Sequence, residues 1–346
     1  MDSRERVWRA VEFEGPDRVP FEWYEYGVGV LDLKRTDIAG VGFKPLQGSW
    51  SEAGNEIRYV DEWGCIWVSY KSLPTIGRPI VHPLQNWDNI NNYKFPELSL
   101  EKRFEGVDKE VKRLRNLGKY IVGWLGAGIW ARTRFLRGFR EALADLYMHR
   151  DRIYKLLEFL TEFKIGLIRG YSELDIDCVA FTDDWGTQSR LFINPKIWVE
   201  VFRPYYMRIF KEAKKRGLHT YIHSCGNIYD IIGYWVKDGL NIIQMDAPHQ
   251  VGLERLSKYA GKICFNCCID IQKILVRGVE SEIYEEAKKM IELLGCEDGG
   301  FIARQYPQLA HIKVKPEVNE IAYKAFLKFG KIRANFGRLS LNVGQS

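Results

Sequence analysis

The stretch "RGLHTYIHSCGNIYDIIGYWVKDGLNIIQMDAP", residues 216–248, sets two short apolar runs around one helical pattern. "LHTYIHSCG" (218–226) and "NIIQMDAP" (241–248) are apolar and bounded by turn residues, as strands buried on both faces are. Between them, "IYDIIGYWVKDG" (228–239) carries apolar residues at three- and four-residue spacing, and Gly239 sits where a helix stops. Strand, helix, strand in so few residues predicts two parallel strands joined by a crossover.

The alternation continues outward in both directions. Strand-like runs recur as "KYIVGWLG" (119–126), "DCVAFTDDW" (177–185), "KICFNCCID" (262–270) and "GGFIARQ" (299–305). Helical patterns fill 150–174, 195–217, 253–261 and 282–295; Gly217, Gly261 and Gly295 mark their ends, and Asn194 reads as an N-cap before Pro195. This many units, with no GxGxxG after a strand, predicts an α/β fold closed into a (β/α)8 TIM barrel rather than an open dinucleotide-binding sheet. The first 117 residues are less regular: an amphipathic Arg4–Glu12, a turn at "GPDRVP" (15–20) and a hairpin arm "DEWGCIWVSYKS" (61–72). They read as an N-terminal elaboration of a single domain over 1–340, with 118–335 forming most of the barrel.

The 346 residues are 46% hydrophobic and 28% charged, which suits a globular chain. The net charge of +6 is scattered, with no basic stripe, so nucleic acid is not an expected partner. The opening lacks an apolar leader segment, and no run reaches the roughly 18 apolar residues of a membrane span. Seven cysteines are an odd count, and a chain of this size needs no disulfides. A cytoplasmic location with reduced thiols is the expectation.

In such a barrel, residues just past the strand ends converge on one mouth. Here those are Asp183, Asp184 and Trp185; His223 and Cys225; Asp246 and His249; Cys267, Cys268 and Asp270; and Arg304 with Tyr306. His223 and Cys225 alternate at a strand end, so their side chains face one way, and imidazole with thiolate is a zinc donor set. The same pattern describes a buried cysteine beside a histidine bonded to backbone. Cys267 and Cys268 are neighbours on a strand, so at most one reaches the mouth; Cys267 is the preferred one. Cys65, Cys178, Cys264 and Cys296 read as structural. Of the two carboxylates in "DDW", one suits acid–base work, the orienting of a metal ligand or the binding of a cationic substrate group, and the same pair also reads as an acidic cluster at a helix N-terminus. His249 and His311 fall in loops. The 14% aromatic content, with eleven Trp, fits an aromatic-lined pocket or plain core.

Several blocks carry a family likeness: "SRERVWRAVEFEGPDRVPFEW" (3–23), "DEWGCIW" (61–67), "FLRGFREALADLY" (135–147), the long block from "FTDDWGTQSRLFINP" through "YIHSCGNIYDII" (181–232), "FNCCIDIQKIL" (265–275) and "VKPE" (314–317). Nearly end to end, the chain resembles the uroporphyrinogen decarboxylase superfamily, which includes cobalamin-dependent methyltransferases. The resemblance implies a (β/α)8 barrel. In its methyltransferase branch, zinc is held by a His-x-Cys pair, matched by His223 and Cys225, and by a more distant cysteine. The usual place of that third ligand reads "GGFIARQYPQLAHI" (299–312), without cysteine, so the role falls to Cys267 or Cys268.

True decarboxylases carry an arginine-rich segment after the opening RVP; here it reads "RVPFEWYEYGVGV" (18–30), where Glu22 and Glu25 meet substrate carboxylates with repulsion. The resemblance therefore implies a zinc-dependent methyltransferase acting with a corrinoid protein or methylcobalamin. Asp184 and Arg304 would orient a small methyl donor or acceptor, an aromatic methyl ether being favoured by the tryptophans. Two other readings stand beside it: a metal-free decarboxylase of a tetrapyrrole with Asp183 or Asp184 as central acid, and a non-catalytic corrinoid-binding protein. Neither nucleic acid nor membrane is an expected partner, and an oligomer is compatible with the sequence.

Overall fold

The computed structural model describes residues 1–331. Along the chain run β1 (Phe21–Glu22), β2 (Ile38–Gly42), β3 (Ser49–Ala53), β4 (Glu56–Val60), β5 (Ile66–Tyr70), β6 (Leu73–Val81), β7 (Tyr120–Ala127), β8 (Cys178–Thr182), β9 (His219–His223), β10 (Ile242–Met245), β11 (Cys264–Cys267) and β12 (Phe301–Arg304). Eight of them form a parallel sheet in the order β1-β12-β11-β10-β9-β8-β7-β2. Between the two end strands Asp37 closes the ring. Its N–H donates to the Phe21 carbonyl at 2.7 Å, and its carboxylate accepts from Phe21 N–H at 2.8 Å. The result is a nearly closed barrel of the expected α/β class.

The six strand-like runs from residue 119 onward are β7 to β12. The first 117 residues do more than cover the barrel, because β1 and β2 come from them. Short strands with little internal periodicity hide in such a segment. Of the domain expected over 1–340, residues 332–340 lie outside the described ones.

Alternation along the strands sorts the core into two layers. Val122, Cys178, Ala180, Tyr221, Ile242, Cys264 and Ile302 fill the barrel interior. Their neighbours Ile121, Val179, Phe181, Ile222, Ile243, Phe265 and Ala303 pack under the helices. Each large apolar side chain so buried contributes about 1.5–3 kcal/mol. Asn194 caps its helix as expected, accepting from Lys196 N–H at 2.9 Å.

The strands β3-β4-β5-β6 form a separate antiparallel sheet, and the expected hairpin arm is its β5. Trp67 of β5 meets Phe135 edge-on at 4.7 Å, and Trp63 meets Phe163 at 5.1 Å. These contacts fasten the sheet to helices Ile129–Arg137 and Arg150–Ser172, beside the barrel mouth. All seven cysteines are free thiols. Among the described residues, no helix is long and apolar enough to cross a membrane.

Candidate metal centre

Strand β9 ends at His223, which shares the inward face of Tyr221 two residues earlier. The loops after β8 and β9 then press together at Gly186 and Gly226. A Cβ on either glycine would lie within 2.2–2.5 Å of the other loop's backbone, and Gly226 holds φ +83°, so only glycines allow this approach. Gly186 N–H donates to the Cys225 carbonyl at 3.1 Å, and Cys225 N–H donates to Asp184 Oδ1 at 2.9 Å. The crossing therefore sets Asp184 beside His223 and Cys225.

His223 Nε2 lies 3.3 Å from Cys225 Sγ and 3.4 Å from Asp184 Oδ1, and the three donor atoms fall within 4.8 Å of one another. Zinc bond lengths of about 2.0–2.3 Å in a tetrahedron give ligand–ligand edges of roughly 3.3–3.8 Å. Nitrogen, thiolate sulfur and carboxylate oxygen are zinc donors, so residues and spacing fit the ion. Without metal, His223 favours its charged form beside Asp184. Burial works against the imidazolium, but hydrogen bonds to Asp184 and Cys225 outweigh it and raise the His223 pKa well above its usual value. For Asp184, burial likewise opposes the charge, yet His223, the Cys225 N–H and Arg134 bring the pKa down to about 2.

The other side of the imidazole is also committed. His223 Nδ1 bonds Gln244 Oε1, and Gln244 Nε2 donates to Asp246 Oδ1 at 2.7 Å. Because the Asp246 carboxylate can only accept, the amide nitrogen of Gln244 must face it, and the amide oxygen must face His223. Nδ1 therefore keeps its proton in either charge state, and the proton that a metal would displace is the one on Nε2, facing Asp184 and Cys225. Asp246 is held in turn by an ion pair with Arg304 Nε at 3.5 Å and by the Cys268 thiol at 3.7 Å. Arg304 is also paired with Glu22, which accepts from Tyr24 OH at 2.5 Å and from Tyr221 OH at 3.3 Å. Burial opposes the Glu22 charge, but Arg304, with hydrogen bonds from Tyr24 and Asn266, holds its carboxyl below the usual range.

The other residues expected at the mouth divide by role. Asp183 is buried and caps helix Ile129–Arg137 from the end of the neighbouring strand, accepting from Ala131 N–H at 2.7 Å, Trp130 N–H at 3.2 Å and Tyr206 OH at 2.5 Å. Trp185 is core, its Nε1 donating to Tyr206 at 2.8 Å. Of the adjacent cysteines, the preference for Cys267 is corrected by strand parity. Cys264 and Asn266 face inward, so Cys268 points to the mouth while Cys267 packs under the helices. Neither thiol belongs to the His223 cluster. Arg304 is spent on Glu22 and Asp246. Glu22, whose charge Arg304 offsets, is no source of repulsion, and Glu25 is exposed. Asp270 caps its own loop through Gln272 N–H at 2.7 Å; His249 bonds Glu286; His311 is exposed. Burial pushes the Tyr306 hydroxyl up to about 12.

Beside Asp184 opens a cavity of about 490 Å³ between the mouth and the antiparallel sheet, walled by Tyr59, Trp63, Trp67, Trp124, Phe135 and Phe163. This volume lies in the range of small-molecule sites. Arg134 also lines it, and this residue carried no signal in the sequence. The signal that Gln244 offered was a lone amide inside an otherwise apolar strand.

The barrel, its mouth and this order of elements recur in known proteins. A methyltransferase from Methanosarcina mazei superposes with a TM-score of 0.63 at 15% identity, over 95% of this chain and 99% of that one. L-Ribulose 3-epimerase is a weaker likeness, with a TM-score of 0.41 and 12% identity over 69% and 84% of the two chains. No curated protein sequence matches the chain. The model of one family, uroporphyrinogen decarboxylase (URO-D), matches residues 65–305, which takes in β5 to β12 and the cluster at Asp184, His223 and Cys225. By that match over most of its length, the chain belongs to the uroporphyrinogen decarboxylase family.

Proposed function

We propose that the protein is a zinc-dependent methyltransferase that works with a corrinoid protein or methylcobalamin in the cytoplasm. The observation that carries this reading is His223 Nε2 standing 3.3 Å from Cys225 Sγ and 3.4 Å from Asp184 Oδ1, with Asp184 also lining an aromatic cavity. His223, Cys225 and Asp184 would hold the ion, with Asp184 in the place first sought at Cys267 or Cys268. Zinc bound there supplies a Lewis acid, which lowers the pKa of a thiol or polarises a donor oxygen. Gln244 sets the imidazole tautomer, and Arg304 with Cys268 fixes Asp246 behind it. The aromatic walls receive a small methyl donor such as an aryl methyl ether. The likeness to the Methanosarcina mazei methyltransferase supports the reaction class, and through it a corrinoid partner over the mouth.

Charge weighs against the tetrapyrrole decarboxylase. Around the cavity Asp61 is paired with Arg132 at 2.7 Å and Glu62 with Arg103 at 2.9 Å, which leaves few cations for a substrate with eight carboxylates. The test is a methyl-transfer assay with zinc-loaded protein, a reduced corrinoid protein and an aryl methyl ether, followed by cobalt absorbance. Methylation of cobalt that requires both protein and zinc is expected. Release of carbon dioxide from uroporphyrinogen, with no cobalt change in the first assay, would overturn the proposal.

A further inference from the structure

Arg134 stands apart from the other charges at the cavity wall. Asp61 and Arg132 are paired, as are Glu62 and Arg103. Lys164 is buried, donates to the Leu125 carbonyl at 3.1 Å and has the Asp183 carboxylate as its counter-charge. Arg134 Nη2 has only a long contact to Asp184 Oδ2, at 3.4 Å, and its buried Nε has no hydrogen-bond partner among the described residues. Its guanidinium lies 5.0 Å from the Phe135 ring, on the wall that also carries Trp63 and Trp67. Among the described residues, the one carboxylate that Arg134 touches is the one that a metal at His223 and Cys225 would claim.

A divalent ion with the carboxylate of Asp184 and the thiolate of Cys225 is locally neutral. Arg134 then faces the cavity as an uncompensated cation with donors to spare, beside flat apolar walls. That combination selects a ligand that is planar and apolar over most of its surface and anionic at one edge. We propose that Arg134 is the anion-binding residue of this cavity, released from Asp184 when metal binds, so that the cavity takes a small aromatic carboxylate and takes it more tightly with metal than without. This rests on the metal reading above and names the substrate class for the same site.

The test is titration calorimetry on the full chain, zinc-loaded and metal-free, with zinc content measured on each sample. The probes are 3-methoxybenzoate, neutral methoxybenzene and (3-methoxyphenyl)trimethylammonium. With zinc, the carboxylate should bind at least about tenfold more tightly than the neutral ether, the range of one charge-assisted pair. Arg134→Gln should bring the two within about twofold, and Arg134→Lys should keep part of the preference. Zinc should strengthen carboxylate binding in the wild type and leave Arg134→Gln almost unmoved. An undiminished preference in Arg134→Gln, as direct ligation of the carboxylate by zinc would give, overturns the assignment. Equal or tighter binding of the ammonium probe does the same. Full zinc content without anion preference defeats the Arg134 proposal and leaves the metal reading standing. Anion preference in a protein that takes no zinc defeats the metal reading and the coupling together, and keeps the anchor.

Discussion

His223 Nδ1 bonds the side-chain oxygen of Gln244, whose amide nitrogen donates to Asp246 at 2.7 Å. An acceptor-only group at the end of β10 thus dictates the tautomer of the imidazole on the neighbouring strand β9. Loss of such an outer partner typically costs 10–100-fold in metal affinity. Gln244→Leu should therefore weaken zinc binding by about that factor in competition with a chromophoric chelator. Gln244→Glu, which keeps an acceptor, should lose less. Wild-type affinity in Gln244→Leu contradicts the role given to this amide.

Adjacent aspartates should answer differently. Asp183 accepts three hydrogen bonds in the core, and its removal strands donors there and leaves Lys164 without its counter-charge. Asp183→Asn should cost about 1–3 kcal/mol in urea unfolding and keep zinc. Asp184, a third exposed, should do the reverse on change to Asn: little stability lost, much zinc affinity lost. Zinc loss in the first variant with retention in the second would exchange their roles.

Glu22 and Arg304 form a buried pair between the first and last barrel strands, with side chains 4% and 8% exposed. Removing one partner leaves a charge without compensation, so Glu22→Gln or Arg304→Met should each cost about 3–5 kcal/mol. The double variant should be more stable than the sum of the two losses predicts. Simple additivity in a double-mutant cycle would show that the pair is not coupled.

What the sequence made legible follows from periodicity. "LHTYIHSCG" puts Tyr221 and His223 on one face whatever the exact strand ends, so the imidazole at the mouth was readable. "KICFNCCID" does not reveal its own phase. A shift of one residue exchanges Cys267 with Cys268, and the phase is fixed by contacts made far from the strand in sequence, such as that of Asn266 with Glu22. The role of Asp183 depended on a helix beginning more than fifty residues earlier, at Ile129. Glu22 and Arg304 lie at opposite ends of the chain, and no local pattern links them. Arg134 sits mid-helix among other arginines, where only the cavity distinguishes it.

At the opposite end of the barrel, Glu12 Oε1 lies 2.6 Å from His219 Nε2. That hydrogen bond, opposed by partial burial, holds the Glu12 carboxyl below its usual 4.5. A folded pKa below the unfolded one stabilises above the unfolded value, and the gain disappears as pH falls through the folded one. Glu12→Gln should cost less than about 1 kcal/mol at neutral pH, since the carboxylate is partly exposed. The gap to wild type should close as pH falls below the usual carboxylate range in thermal unfolding. A gap that widens on acidification contradicts this.

The most direct measurement is zinc content after reconstitution and exhaustive dialysis, on wild type, His223→Ala and Cys225→Ala, with circular dichroism confirming that all three are folded. About one zinc per wild-type chain is predicted, with both variants close to none, because each removes one of three protein ligands. A folded wild-type protein that retains no zinc, or variants that retain as much as wild type, would contradict the metal centre at Asp184, His223 and Cys225.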